Sequence, residues 1–338
     1  MILLQGFSHS TDNNNDVIST GRFMRRSFSF IRPLMNRSPK QRCEWLEQQL
    51  QVSLPEELLL FWEFAKSLRP LEPLSALEDS LGIYLVGAFE ILSGKFDTYS
   101  GEIPISLHWR YGLDPPEFFT LLARGEDRWH AGYYIDAPAG KSYCVTSYSA
   151  NDGLQFNFDG RSLFSAVERY LDDKELINDE DDVVLTGSEL EESKKACDKV
   201  RKALLKYRPL AKKIQVGRRN VVEKTIDGVG VVAADNAVGE IDKSIKKKIP
   251  YMVWSDTEYE KVMEEAVRLQ AMGKAATALK LAKDLWQVGD EHRIRKAALV
   301  MVEAYKKLAR LPFDKILGEH LAYLNREWLD ILDASSGS

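Results

Sequence analysis

At 338 residues, with 44% hydrophobic and 29% charged, the chain has the composition of a water-soluble protein able to bury a large core in one domain or two moderate ones. No apolar run approaches the roughly 20 residues of a membrane-spanning helix, and the apolar opening Met1–Gly6 is too short for a signal-peptide core. Cys43, Cys144 and Cys197 are far apart and lack Cys-x-x-Cys spacing, which argues against a zinc knuckle or a disulfide framework and for a reducing, intracellular setting.

The net charge of -5 does not indicate direct nucleic-acid binding, yet the charge is unevenly spread. Glu168 to Glu192 holds 11 acidic and 2 basic residues, whereas Lys194 to Lys248 holds 16 basic and 6 acidic. Adjacent blocks of opposite sign favour contact with a partner or with each other; the plainer reading is a solvated helix face beside an acidic loop.

In chain order, residues 1–42 read as a disordered basic tail, rich in Ser, Asn, Arg and Pro with little apolar periodicity. Order is expected from Cys43, with Trp45, Leu46, Gln49 and Leu50 on one helical face. Ser53-Leu54-Pro55-Glu56 has capping-box spacing ahead of a helix through Leu58, Phe61, Trp62 and Ala65. Strands are predicted within Leu81–Leu92, Ile103–Trp109, Trp129–Ile135, Ser142–Ser147 and Gly153–Phe158, punctuated by Gly and Pro as an antiparallel sheet requires. A helix over Leu163–Leu171 closes this unit. Ser188-x-x-Glu191 is a second capping signal, for a charged helix that should end by Pro209.

Thr225–Ala234 is a short Gly-containing apolar segment, a hairpin or an exposed loop between strands. Four amphipathic helices follow near 257–271, 274–287, 292–309 and 313–331, with Asp256 as the first N-cap and no strand expected among them. The fold class is therefore α+β. An N-terminal α/β region over 43–185, with a largely antiparallel sheet, packs on a mainly helical region over 186–338 that carries a small β element near 225–234.

For chemistry, the chain offers no phosphate-cradling Gly-rich loop, no His-Glu-x-x-His, no Gly-x-Ser-x-Gly and no closely spaced ligand set among its five histidines. Neither an enzyme of its own, a metal nor a cofactor is expected, and the purified protein should neither hydrolyse NAD nor modify itself. His108 and His130 read first as hydrogen-bonded core histidines, the alternative being a ligand or base.

The string Leu107-His108-Trp109-Arg110, followed by Asp114-Pro115-Pro116-Glu117-Phe118, resembles a signature of the histone PARylation factor family. Further matches keep the family's order: Leu54-Pro55-Glu56 with Phe61-Trp62, Leu85-Val86-Gly87, Gly132-Tyr133, Lys224-Thr225 with Gly228 and Gly230, Val238-Gly239, Asp284-Leu285-Trp286 and Glu319-His320-Leu321. The resemblance covers roughly residues 54–321 and implies an accessory protein of ADP-ribosylation. Its partner would be an ADP-ribosyltransferase or poly(ADP-ribose) polymerase, in the nucleus if the cell is eukaryotic and otherwise in the cytoplasm.

In that family a glutamate of an Asp-Glu pair completes the polymerase site as base toward an acceptor serine, since a hydroxyl is a weak nucleophile without one. Counting back from Asp284 places Ala271 and Met272 at this pair, and neither can accept a proton. The family's Tyr-Arg docking pair after Val-Gly falls on Glu240 and Ile241, beside Gly239. The resemblance thus marks Gly239, Glu240, Ile241, Ala271 and Met272 as partner-binding positions of a divergent, non-catalytic member. Glu264 and Glu265, seven residues or two helical turns earlier, are the candidate catalytic acids of an alternative register in which the cofactor stays active. A third reading is a binding or immunity module, from a fainter resemblance of the Leu54–Trp62 helix to the SMI1/KNR4 group. A helical-hairpin repeat scaffold finds no fixed period in the C-terminal helices.

Overall fold

The computed structural model describes residues 37–99, 101, 103–125, 128–139, 141–151, 155–179, 187–246, 255–324 and 328–329, all within the compact unit Pro33–Ser338. Most of the predicted tail, and the centre of the acidic segment at 180–186, lie outside the described residues. Helix α1 (Pro39–Leu50) already takes in four residues assigned to the tail. Ser38 and Gln41 close a capping box around it, and Arg42 pairs with Asp97.

Helix α2 (Glu57–Leu68) starts four residues after the predicted Ser53 cap and has no side-chain cap. Tertiary partners take the donors instead: the Ser53 amide binds Pro138 O at 2.8 Å and the Leu54 amide binds Glu47 at 2.7 Å. The predicted strand over 81–92 is a helix α3 (Glu78–Leu81), a two-residue strand β1 (Tyr84–Leu85) and a helix α4 (Ala88–Ser93). Gly87 forces the break. Its φ is 60°, and a Cβ there would lie 2.3 Å from the Thr120 carbonyl oxygen.

The predicted strand over 103–109 is likewise absent: Ile105–Leu107 is a single 3₁₀ turn, Trp109 sits at φ 55°, and only β2 (Arg110–Tyr111) is extended. With Trp109 left-handed, strand alternation does not govern His108 and Arg110. Strand β3 (Phe118–Ala123), hidden behind the Asp114–Phe118 string, was not predicted. It pairs with β1 and β4 (Trp129–Ile135), and β5 (Tyr143–Ser149) and β6 (Asn157–Gly160) complete an antiparallel sheet ordered β1-β3-β4-β5-β6.

Helices α5 (Leu163–Asp179) and α6 (Gly187–Ala211) follow, and α6 runs two residues past the predicted stop at Pro209. The loss of one amide so near the helix end is tolerated, and the Lys212 amide still reaches Arg208 O at 3.0 Å. The two charge blocks meet here: Arg201 binds Asp172 and Glu175, and Arg208 binds Glu168.

Strands β7 (Val221–Glu223) and β8 (Val231–Val232) pair antiparallel, so only β8 falls within Thr225–Ala234 and most of that segment is the loop between the two strands. After the short α7 (Lys243–Lys246) come α8 (Asp256–Ala271), α9 (Ala275–Gln287), α10 (Glu291–Lys307) and α11 (Leu311–Leu321). Ser255, not Asp256, caps α8, in a box with Glu258. The fourth helix stops ten residues short of its predicted end, and a two-residue strand β9 (Trp328–Leu329) pairs antiparallel with β2, against the expectation of no strand there. A two-residue pairing carries too little alternation to be read from sequence.

One hydrophobic core runs from Cys43 to Leu317 through both regions. Phe61, Phe64, Phe89 and Phe164 pack ring to ring on the N-terminal side, each burial contributing roughly 2–3 kcal/mol. Helix α9 is buried along its whole length and joins the regions. Trp286 Nε1 donates to Leu113 O at 3.1 Å, Asp284 accepts the Ile226 amide at 2.8 Å, and Lys283 lies 3.7 Å from Glu117.

Candidate partner-binding groove

The signature residues that stand out most in the sequence turn out to be scaffold. His108 Nε2 contacts Glu90 at 2.8 Å, and Trp109 Nε1 donates to the same carboxylate at 2.6 Å. Burial works to raise the Glu90 carboxyl, but His108 and Lys95 overcome it and hold the group below the usual carboxylate range. Arg110 is buried and donates to the carbonyls of Ser106, Pro115 and Phe118 at 2.8–3.0 Å. His130 is stacked on Tyr111 and joins Tyr148 on Asp114. Both histidines are thus hydrogen-bonded core groups, as their first reading held.

The segments marked as partner-binding, some thirty residues apart in sequence, converge on one open groove with about 570 Å³ of space. Gly239, Glu240 and Ile241 form one wall, and Arg268, Leu269 and Met272, at the end of α8, form the other. Gly239 is held by its amide on Thr277 Oγ1 at 2.8 Å. The approach is close: a Cβ there would lie 2.8 Å from Leu269 Cδ2 and 2.8 Å from Lys274 Cγ, so a larger residue would have to displace these side chains.

Glu240 is exposed, whereas Ile241 is 9% exposed and packs into the core as floor. Met272 is 58% exposed. Ala271, also exposed, ends α8 just outside the lining.

Glu264 and Glu265 do not form a pair, since adjacent helical residues diverge by about 100°. Glu264 is exposed and Glu265 is buried. Glu265 accepts both Arg268 nitrogens at 2.7 Å and the Asp242 amide at 2.9 Å. Arg268 above all holds its carboxyl below the usual range, with the Asp242 amide adding to the effect. Arg268 also reaches Glu240 O at 3.3 Å, so this side chain ties the two walls together.

Sequence reading missed both Arg268 and Asp242. The Glu265–Arg268 spacing of i, i+3 was a visible signal, but nothing in the sequence announces that the Asp242 amide lies opposite. Among the described residues, no group of three or more His, Cys, Asp or Glu could hold a metal ion, and no helix is long and apolar enough to cross a membrane. Cys43 and Cys144 are buried thiols, each pushed up to about 12, chiefly by burial.

An antiparallel sheet bound through one core to a helical layer that carries an open groove describes an α+β protein. Residues 40–323 match the profile of the family described as histone PARylation factor 1, and the chain belongs to that family. It is 29% identical over 308 residues to Histone PARylation factor 1 of Danio rerio, which covers 86% of this chain and 88% of that protein. The Mus musculus protein of the same name is 29% identical over 307 residues, covering 85% and 88%. A Homo sapiens protein named Putative histone PARylation factor 1-like is 28% identical over 306 residues, covering 84% and 87%. The matched span includes the Leu54–Trp62 segment that suggested an SMI1/KNR4-like module, and there Leu58, Phe61 and Trp62 are core residues.

Proposed function

We propose that the chain is an accessory protein of ADP-ribosylation that associates with a poly(ADP-ribose) polymerase through this groove without lending it a catalytic base. The observation that carries the reading is the convergence of Glu240 and Met272 on one open surface, at the positions where the family resemblance implies the docking pair and the acid pair. Met272 presents a thioether where a proton acceptor would be needed, and Glu265 is committed to Arg268. Exchange of an aromatic-cationic pair for Glu240 and a buried Ile241 also changes what the surface recognises, from an anion-seeking contact to one that prefers a cationic or apolar counterpart. A nuclear location follows for a eukaryotic cell.

The test is affinity measurement between the full chain and a purified poly(ADP-ribose) polymerase. Glu240→Lys with Met272→Arg should weaken binding at least about tenfold, as truncation of interface anchors does. Binding untouched by this pair would place the contact elsewhere.

A second reading keeps the chain active, and Glu264 favours it: exposed and seven residues before Ala271, it lies on nearly the same helical stripe. Loss of serine-directed modification on Glu264→Gln, in an assay where the natural chain supports it, would establish that reading.

A further inference from the structure

Helix α6 carries a basic stripe outside the groove, flanked by the exposed Asp198. Lys195, Lys199, Lys202 and Lys206 recur at i, i+4, i+7 and i+11. At about 100° per residue they fall within a wedge of about 60° and extend about 16 Å along the axis. All four are exposed, while Cys197, Val200, Leu204 and Tyr207 bury the opposite face.

The helix directs its two arginines differently. Arg201 and Arg208 bind carboxylates of α5, whereas among the described residues none of the four lysines has a carboxylate at ion-pairing distance. Lys206 rests over the Tyr207 ring, 5.3 Å from its centroid, a contact that keeps its charge. Lys212 and Lys213, both exposed, extend the basic surface beyond the helix end.

Like charges at i, i+3 and i, i+4 destabilise a helix. Here Lys195–Lys199, Lys199–Lys202 and Lys202–Lys206 are three such pairs in succession. Their repulsion is relieved when a polyanion neutralises them.

We propose that this stripe is a docking surface for the phosphate backbone of double-stranded DNA. Lysine serves phosphate as a point charge, and the four lysines keep theirs while both arginines of this helix are turned to α5. A helix face presents its side chains outward, whereas a peptide partner's anchor side chain needs a pocket. A duplex offers one charge per about 1.7 Å of axis, so a stripe of this length faces unbroken negative charge. The net charge of -5 argued the other way because it averages over surfaces that the fold separates. The proposal is independent of the groove.

The test is fluorescence anisotropy of a labelled duplex of about 20 base pairs titrated with the full chain at about 50 to 200 mM salt. Four neutralised phosphates predict a log–log slope of about −3.6 and a loss of affinity of about 150-fold across that range. Changing Lys195, Lys199, Lys202 and Lys206 to Gln should abolish this binding while keeping the circular dichroism and not lowering the melting temperature. A control with Lys40, Lys261, Lys307 and Lys315 changed to Gln should keep the slope. The proposal is overturned by no binding at the lowest salt, by equal loss in the control, or by binding to a polyglutamate peptide in preference to the duplex.

Discussion

Glu265 and Arg268 form a two-point ion pair, 2.7 Å at each contact, on the face of α8 that meets the Gly239–Asp242 segment. The carboxylate also takes the Asp242 amide and the guanidinium the Glu240 carbonyl, so one i, i+3 pair fastens both walls of the groove. A residue occupied in this way is a structural fastener rather than an available base.

Glu265→Gln should therefore act on stability. Arg268 is half exposed, so solvent screens the pair, and the loss should be about 1 kcal/mol, read as a drop of a few degrees or less in melting temperature. ADP-ribosylation in the presence of a polymerase should be unchanged by it. An unaltered melting temperature with an altered acceptor profile would reverse the assignment.

Gly239→Ala should push the Leu269 and Lys274 side chains aside and widen the groove. The added methyl falls inside van der Waals contact of both, which costs about 1–3 kcal/mol where the buried Leu269 resists and less where the Lys274 side chain swings away. Urea unfolding should show reduced stability, and polymerase affinity should fall with it. Wild-type values for both would mean that the close approach is not needed.

Asp227 gives the stability a pH dependence of defined sign. It is fully buried, and burial, with Asp284 and Glu117 adding to it, pushes its pKa from 3.8 up to about 6 against the pull of Thr225 and the Val229 amide. The folded state therefore holds this proton more tightly than the unfolded chain. Its contribution, about 3 kcal/mol as an order of magnitude, is fully present below pH 3.8 and is lost as pH rises to about 6. Asp227→Asn, which keeps an oxygen for the Val229 amide, should flatten that part of the profile. Urea denaturation at pH 4, 5, 6 and 7 measures it, and an unchanged slope in the variant would assign the dependence to other groups.

The sheet's centre and the C-terminal helices were legible because their patterns are long: Trp129–Ile135 and the four amphipathic segments repeat their periods several times. The 78–111 region was not, because its form is decided by contacts distant in sequence. Gly87 must clear the Thr120 carbonyl, and Glu90 collects His108 and Trp109 from a separate turn. In the groove, the positions of Gly239–Ile241 and Ala271–Met272 came from the family's order of residues. Their convergence depends on α8 docking against the segment after β8, and the burial of Ile241 and Glu265 depends on the same packing.

The measurement closest to the central claim is a modification assay combining the full chain, a poly(ADP-ribose) polymerase, a histone acceptor and labelled NAD, with the modified residue type identified. The account predicts that the natural chain binds the polymerase but does not redirect modification to serine. Ala271→Asp and Met272→Glu together should restore some serine transfer, because a base acts within the complex that the natural chain already forms and is itself worth about a hundredfold to ten-thousandfold. Serine transfer by the natural chain, abolished by Glu264→Gln or Glu265→Gln, would contradict the account.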